Sequence, residues 1–418
     1  MDQQAWEKRH QRRDEHRAQR KQQQKKILTV LMIVTAVALT GILVLTLVRR
    51  GMQQQSPSVD VDATAGVEAT VDSSKTVIHL AVAGDVNITD RVVAAGGMDY
   101  DYTRVFMDVA PILSTADLAV VNFEGNLSGA PYGTSTGSAP QNLVQALDRA
   151  GVDLVQLANS YSISKGVSGL ISTIDGIRAG GMEPLGVYRN QDEYKDGKGY
   201  TICTVQGIKI AFVAFTKGMD GMALPEANKD CVNVLYNDYE STYQSVNSEK
   251  ITAILKEVDQ ERPDVTVALL HWGSEYNDTI SPSQERIVRL LQENGVDAII
   301  GTHPHYVQEM KFDPEAGTFV AYSVGDLVGD GDRAGTEYGV ILDLEITKDN
   351  RNGNVAISNY SYTPIFIVTD DQNTVQVVRI PDAMKGFECY FIGRVTQQTY
   401  DDMVYALQRI EARTSGNG

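Results

Sequence analysis

The segment from residue 264 to residue 305 restricts the possible folds of this chain more than any other part of the sequence. It reads DVTVALLHWG, later SPSQERIVRLLQENG, then VDAIIGTHPH: an apolar run, a helical pattern and a second apolar run. The helix is well delimited, with Ser281 as N-cap, Pro282 at the first helical position and Gln284 completing a capping box. Two short apolar runs joined by one helix predict a strand–helix–strand unit with parallel strands.

Similar apolar runs recur along the chain after residue 75. They are TVIHLAVAGDV, LAVVNFEG, VDLVQLANS, IKIAFVAFT, TFVAYSVGD and GVILDLEI. Such runs, separated by helical patterns, predict an α/β domain in which helices cover the sheet. With 418 residues, 42% of them hydrophobic, the chain is long enough to bury one large core or two smaller ones.

Polar side chains stand at the ends of most of these predicted strands. They are Asp85 and Asn87, Asn122 and Glu124, Asn159 and Ser160, His271, His303 and His305, and Asp326. One such residue alone is more often a cap or a turn residue. However, ligands of open α/β sheets collect at the carboxyl ends of the strands, and carboxylate, amide and imidazole groups together suit Zn, Mn or Fe.

The sequence therefore predicts a polar pocket that holds His303 and His305 together with Asp85, Glu124 and His271. The two-residue spacing of His303 and His305 would place both side chains on one side of an extended segment. Two metal ions bridged by a carboxylate are a recurrent arrangement for cleaving phosphoesters. The alternative is that the histidines are ordinary core residues.

The N-terminal part of the chain has a different character. Residues 27–48 are 22 residues without a charge, flanked by lysines and arginines, and about 20 apolar residues suffice to span a bilayer as a helix. A cleaved signal peptide is the rival interpretation, but its apolar region is usually about 7–15 residues and ends at a small-residue cleavage site that is missing here. We therefore predict an uncleaved transmembrane helix over residues 27–48.

Charge predicts the orientation of this helix. Residues 1–50 carry eleven Lys and Arg against four Asp and Glu, so residues 1–26 are predicted to be a cytoplasmic basic leader. Residues 49–75 read as a flexible linker, residues 76–370 as the extracytoplasmic domain, and residues 371–418 as a C-terminal extension with a helical tail. Three cysteines, Cys203, Cys231 and Cys389, are too few for a disulfide framework. A single disulfide bond between two of these cysteines is one interpretation, and free thiols are the alternative.

The predicted partners follow from the same charges. The leader reads as a solvated topogenic tail and not as a nucleic-acid-binding segment. The net charge is −17 overall and +7 over residues 1–50, which leaves −24 on the rest. Such a domain repels anionic polymers, and no strong basic cluster follows Arg50. Binding an anionic polymer would therefore require cations or a local basic patch.

Four motifs resemble one known family. GDVNITDR, VNFEGNLSG, the block from LLHWGSEYN to GTHPHYVQ, and AYSVGDLVGD look like the poly-gamma-glutamate capsule-synthesis (CapA-type) family over about residues 78–330. The domain of that family is similar to the calcineurin-like metallophosphoesterases. The resemblance implies a sandwich of two mixed sheets flanked by helices, here preceded by one transmembrane helix, with a metal site at the strand ends.

The resemblance also implies roles for individual residues. The metal ligands would be Asp85, Glu124, Asn159, His271, His303 and His305. The catalytic residues would be Tyr161 and His271, and the substrate contacts Trp272, Glu275, Tyr276 and Asp326. The cofactor would be a divalent transition metal, Mn, Zn or Fe, and the absence of any metal is the alternative.

The third motif departs from the family pattern. Where the family usually reads L-A-N-N-H followed by an Asp, this chain reads LANSYSIS, so that Ser160, Tyr161 and Ser164 replace Asn, His and Asp. In related phosphoesterases that Asn is a metal ligand and that His helps to protonate the leaving group. A hydroxyl is a poorer ligand than an amide oxygen, and a phenol with a pKa near 10 is a weaker acid than an imidazolium with a pKa near 6.5.

Three functional hypotheses remain open from the sequence. The first is a membrane-anchored, extracellular accessory of the synthesis or assembly of capsule, poly-gamma-glutamate or another anionic surface polymer, with a degenerate phosphoesterase-like site. Its partners would be the membrane, the polymer and membrane-bound synthesis machinery, with no nucleic acid. The second is an active metal-dependent hydrolase with an altered third motif, and the third is a purely structural ectodomain.

Overall fold

The computed structural model describes residues 74–369, 374–389 and 395–414. The predicted leader, the predicted transmembrane helix and most of the predicted linker lie outside these residues. Within the described residues, no helix has both the length and the apolar character needed to cross a membrane.

The described residues alternate strands and helices along the chain. The strands are β1 (Lys75–Asn87), β2 (Leu118–Glu124), β3 (Leu154–Gln156), β4 (Glu183–Leu185), β5 (Tyr200–Val205), β6 (Ile208–Thr216), β7 (Val265–His271), β8 (Ala298–Thr302), β9 (Met310–Asp313), β10 (Thr318–Ala321), β11 (Asp326–Val328), β12 (Tyr338–Asp349), β13 (Val355–Thr369) and β14 (Val375–Arg379). The helices are α1 (Asp90–Ala94), α2 (Thr103–Phe106), α3 (Ala110–Thr115), α4 (Gln141–Ala150), α5 (Gly166–Ala179), α6 (Gln191–Gly197), α7 (Ser248–Glu261), α8 (Pro282–Glu293), α9 (Ile380–Glu388) and α10 (Gln397–Thr414).

These strands form two mixed sheets, as the family resemblance implies. The first sheet has the order β14-β13-β12-β1-β2-β3-β4, with β11 also paired to β1. Strands β1 to β4 are parallel, whereas β12, β13 and β14 are added by antiparallel pairing. The second sheet has the order β5-β6-β7-β8-β10-β9, with parallel strands in the middle and an antiparallel strand at each edge.

The predicted strand–helix–strand unit is confirmed as β7, α8 and β8. Ser281 caps α8: its hydroxyl accepts from the Gln284 backbone N–H, and the Gln284 side chain accepts from the Ser281 N–H. β7 and β8 are parallel, and their register pairs His271 with Thr302. His271 and His303 therefore lie at the same edge of the second sheet.

Helices pack against both sheets. Apolar side chains of α4 and α5, such as Leu143, Leu147 and Ile174, pack with Val121 of the first sheet. Leu255 of α7 and Ile287 and Leu291 of α8 pack in the same way on the second sheet. The two sheets contact each other where β13 meets β7 and where β4 meets β6.

The C-terminal strands belong to the first sheet. β12 pairs along β1, and β14 pairs with β13. The first sheet therefore continues past residue 370, where the sequence places the start of a C-terminal extension. The predicted helical tail is α10, which contacts β13 and β9.

Candidate metal centre

Five buried polar side chains meet where strand ends of the two sheets face each other. Asp85 and Glu124 come from β1 and β2 of the first sheet, and His271 ends β7 of the second. His303 and His305 follow β8 directly. Each of the five residues is at most 6% exposed. The shared pocket predicted from the sequence is therefore present.

The five side chains form two overlapping groups. One ligand atom from each of Glu124, His271 and His303 lies within 4.8 Å of the other two, and the same holds for Asp85, Glu124 and His305. Glu124 belongs to both groups. Its Oε1 is 3.2 Å from His271 Nδ1, while Asp85 Oδ2 is 3.5 Å from His305 Nδ1. A carboxylate common to two groups suits a pair of metal ions.

Strand register brings the acidic ligands together. Asp85 pairs with Asn122 of β2 on one side and with Asp326 of β11 on the other. Asn122 and Glu124 are two residues apart on β2 and so face the same side of the sheet. The Asn122 amide donates to Asp85 Oδ1 at 2.7 Å and to Glu124 Oε1 at 3.1 Å. Asn122 thus orients both carboxylates, a role that the sequence analysis did not assign although the spacing indicates it.

His303 and His305 reach the pocket through an unusual backbone. Their φ angles are +92° and +59°, in the left-handed region that residues other than glycine rarely adopt. The expectation of an extended segment is therefore wrong, although the two rings do converge, with centroids 6.2 Å apart. The His303 backbone N–H donates to Asp85 Oδ2 at 3.0 Å. Such strain persists where surrounding contacts enforce it, commonly at functional sites.

Burial shifts the pKa values of the clustered carboxyl and imidazole groups. Burial, reinforced by Asp326, raises the pKa of Asp85 to about 7, and burial with Asp85 raises the pKa of Glu124 well above its ordinary value. Burial lowers the pKa of His271 and of His303 well below the usual range, so both are neutral imidazoles. Neutral imidazoles are the form that binds a metal, and a bound cation would favour the ionised form of the two carboxyl groups.

One observation speaks directly for a metal. Both ring nitrogens of His303 are buried and lack a hydrogen-bond partner among the described residues. A buried polar atom without a partner costs roughly 1–3 kcal/mol, and a bound cation would remove this cost for the coordinating nitrogen. The donor set of carboxylates and imidazoles therefore fits a divalent metal ion.

Asp326 contacts His305. Its Oδ1 lies 2.8 Å from His305 Nδ1, and Asp326 is 3% exposed. Burial alone would lower the pKa of His305, but Asp326 and the other nearby carboxylates raise it well above the ordinary value. Asp326 therefore fixes the orientation of His305, as second-layer carboxylates do for metal ligands. Its role as a substrate contact stays a prediction.

The altered third motif lies directly against the first group of ligands. The Ser160 backbone N–H donates to His271 Nε2 at 3.2 Å, and the Ser160 hydroxyl lies 3.1 Å from the same nitrogen. Burial raises the pKa of the Tyr161 phenol to about 12, and Glu124 adds to this shift. Ser164 is farther along the loop, where its hydroxyl accepts from the Asn126 amide.

The Asn159 side chain supports this loop. Its amide nitrogen donates to Asn122 Oδ1 and to the Phe123 carbonyl, and its oxygen accepts from the Tyr161 backbone N–H. Asn159 thus joins the loop to β2 behind the two ligand groups. Its role as a metal ligand stays a prediction.

The three other predicted substrate contacts fall into two environments. Trp272 is fully buried, donates from Nε1 to the Tyr322 carbonyl and stacks on that ring at 5.8 Å. It is a core residue, and a substrate would not reach it in this structure. Glu275 and Tyr276 lie in an exposed loop, and the Tyr276 ring centroid is 5.2 Å from that of His305. Tyr276 therefore lies beside one of the candidate ligands and is exposed to solvent.

The chain is similar to known proteins over the segment that contains the candidate metal ligands. The family described as "Bacterial capsule synthesis protein PGA_cap" matches residues 79–331. The chain is 27% identical over 264 residues to the capsule biosynthesis protein CapA of Bacillus anthracis, covering 60% of each chain. It is 24% identical over 305 residues to the PGA biosynthesis protein CapA of Bacillus subtilis strain 168, covering 70% of this chain and 73% of the relative. The chain thus spans about 60% of the length of the Bacillus anthracis relative.

Similar solved structures have low sequence identity. A calcineurin-like phosphoesterase, YfkN, from Bacillus subtilis is 14% identical with a TM-score of 0.44, covering 81% of this chain and 97% of that one. A phosphatase from Mycoplasma pneumoniae is 16% identical with a TM-score of 0.44, covering 70% of this chain and 94% of that one.

Proposed function

Because the chain belongs to the bacterial capsule synthesis protein PGA_cap family, we propose that it is an accessory of the synthesis or assembly of an anionic surface polymer. The polymer is capsule poly-gamma-glutamate or one of similar charge. The names of the two Bacillus relatives, which refer to capsule and PGA biosynthesis, support this assignment. In this proposal the metal centre binds the polymer or its precursor and does not hydrolyse phosphoesters.

The contact between Ser160 and His271 carries the proposal. A hydroxyl occupies the place beside the ligand group where the related enzymes have an amide ligand, and it is already engaged with His271 Nε2. The neighbouring residue is a phenol with a pKa of about 12, a poor proton donor at neutral pH. These two observations support a site that keeps its metal ligands but does not protonate a leaving group.

Asp85, Glu124, His271, His303 and His305 would hold the metal, which we propose to be Mn, Zn or Fe. Such an ion, when bound, polarises an oxygen of the ligand and compensates its negative charge. Asn122 holds Asp85 and Glu124 in place for it, and Asp326 holds His305.

An active metal-dependent hydrolase is the second candidate. It is favoured by the complete pair of ligand groups that share Glu124. In that case Tyr161, which lies close enough to Glu124 to feel its charge, would be the proton donor. A nearby metal cation would lower the pKa of the phenol.

Gene deletion and complementation test the proposal and separate the two candidates. We expect deletion to remove most of the anionic polymer from the cell surface, and both wild type and Tyr161→Phe to restore it. Glu124→Gln should not restore it, because both ligand groups lose a member. Unchanged polymer after deletion would refute the accessory function. Failure of Tyr161→Phe at normal protein level would favour the hydrolase.

We further propose that residues 27–48 anchor the chain in the membrane, with residues 1–26 in the cytoplasm and the domain outside the cell. The uncharged run and its basic flanks support this topology. Protease added to intact cells should therefore degrade the domain and leave a membrane-held leader, whereas a cytoplasmic control protein stays intact. Recovery of a soluble mature chain beginning near Gly51 would show instead that the segment is a cleaved signal.

A further inference from the structure

Lys217 places a positive charge beside the metal centre. It follows Thr216, the last residue of β6, and its backbone N–H donates to the His271 carbonyl at 2.7 Å. Its ammonium group donates to the Gly273 carbonyl at 3.1 Å and lies 5.1 Å from the Tyr243 ring centroid. Lys217 is half-buried and forms no salt bridge with any of the described residues.

Arg333 places a second positive charge against the same loop. Its guanidinium carbon is 3.8 Å from the ring centroid of Tyr276, the residue whose ring stacks on His305. Arg333 is exposed, and it too lacks a salt-bridge partner within the described part of the chain. Lys217 therefore contacts one end of the short segment from Gly273 to Tyr276, and Arg333 contacts the other end.

Lys217 is close to the ligands of the metal centre, and Arg333 reaches their surroundings through Tyr276, whose ring stacks on His305. Burial is the largest cause of the low pKa of His303, and the charge of Lys217 is the second largest. The charge of Lys217 also lowers the pKa of His271. The carboxylates that act on Lys217 are Glu275, Asp220 and Glu124, none of them in a salt bridge with it. Burial lowers the pKa of Lys217, which means that the ammonium has lost hydration without gaining an ionic partner.

We propose that Lys217 and Arg333 form an anion-binding subsite that holds an oxyanion, carboxylate or phosphate, beside the metal centre. Arginine binds such a group through two parallel hydrogen bonds, and lysine binds it as a point charge. The identification of the oxyanion as a carboxylate of a glutamate polymer rests on the proposed function. Residues 51–418 carry a net charge of −24, so holding an anionic chain requires a local basic patch of the kind that this subsite provides.

Binding of two probes to the full-length chain in detergent, loaded with manganese, tests the subsite. The probes are inorganic phosphate and a γ-linked triglutamate, measured by calorimetry. Lys217→Gln and Arg333→Gln should each weaken binding roughly 10–100-fold, the effect of losing one hydrogen bond to a charged group. Metal content, measured on the same samples, should not change, because neither residue is a ligand.

The matched controls remove the same charges elsewhere. Lys311 also lies over a tyrosine ring, at 5.5 Å from Tyr322, but is paired with Glu309, and Arg351 is paired with Asp349. Lys311→Gln and Arg351→Gln should bind both probes as wild type does. If the site variants bind like these controls, or if wild type binds neither probe, the subsite is refuted.

The two probes also separate the subsite from the proposed function. If triglutamate binds and depends on Lys217 and Arg333, both are supported. If only phosphate binds and depends on these residues, the anion-binding subsite stands while the assignment to a glutamate polymer fails.

Discussion

Replacing Ser160 with Asn and Tyr161 with His should raise the rate at which the manganese-loaded protein hydrolyses an activated phosphodiester by about 10²–10⁴-fold. The wild type should hydrolyse it slowly or not at all. Position 160 lies beside His271, so an Asn side chain there adds an amide oxygen to the group of Glu124, His271 and His303. A histidine at position 161 replaces a phenol whose pKa is about 12 with a group that donates protons near neutral pH.

The choice of substrate makes this experiment sharper. A nitrophenyl ester hardly needs protonation of its leaving group, so the gain should be smaller for it than for an alkyl ester. The single changes separate the two causes: Ser160→Asn should act through metal occupancy, and Tyr161→His through the leaving group. The melting temperature of each variant, measured in parallel, controls for loss of the fold.

One result would reverse the interpretation of Tyr161. If the wild type already hydrolyses the alkyl ester and Tyr161→Phe abolishes the rate, the phenol is a working proton donor. The accessory function without catalysis would then be wrong, and the active hydrolase would be the better description.

Glu124→Gln should have a larger effect on metal content than the loss of any one histidine. We expect two transition-metal ions per wild-type chain, one for each ligand group. Glu124 belongs to both groups, so its replacement should remove both ions, whereas His303→Ala or His305→Ala should each chiefly affect one. Elemental analysis of the full-length chain, purified without chelators, measures this. His79→Ala is the matched control, because His79 pairs with Asp343 in a partly exposed contact that includes none of the ligands.

Stability provides a second measure of the same prediction. Metal at 100 times its dissociation constant should raise the free energy of unfolding by about 2.7 kcal/mol per site. This gain should be present in wild type and in His79→Ala and absent in Glu124→Gln. A metal-free wild type whose stability does not respond to manganese, zinc or iron would support the structural hypothesis, in which the histidines are core residues.

Charge balance explains why a metal matters to both proposals. Asp85, Glu124 and Asp326 are buried together, and their mutual repulsion and loss of hydration oppose ionisation. A divalent cation reverses this, and it also makes the pocket attractive to an anionic ligand. Lys217 and Arg333 would then add to the charge of the metal.

Local patterns were sufficient to predict much of the fold. The apolar run of β6 matches its predicted bounds, Ile208–Thr216, and the capping residues of α8 were identified from Ser281 and Gln284. Such features depend on neighbours within one or two turns of chain, so a single sequence contains them. The order of strands within each sheet depends on pairing between distant segments. For that reason the sequence led us to expect that the strand-like segments after about Gly335 finish the second sheet, whereas β12 to β14 extend the sheet of β1.

The sequence by itself determined which chemistry is available: carboxylates and imidazoles at strand ends, and a serine and a tyrosine where the family has asparagine and histidine. It also indicated that Asp85 would lie near Glu124, and His271 near His303, because parallel strands of one sheet bring their carboxyl ends to one edge. The two pairs belong to different sheets, so their meeting in one pocket depends on how the two sheets pack. Only the tertiary structure decided which polar residues face that pocket. Trp272 is directed into the core, where it stacks on Tyr322, and Asp326 is buried and hydrogen-bonded to His305. Lys217 and Arg333, 116 positions apart in the sequence, lie against one loop because the strands and loops that carry them fold around it, an arrangement that no local pattern encodes.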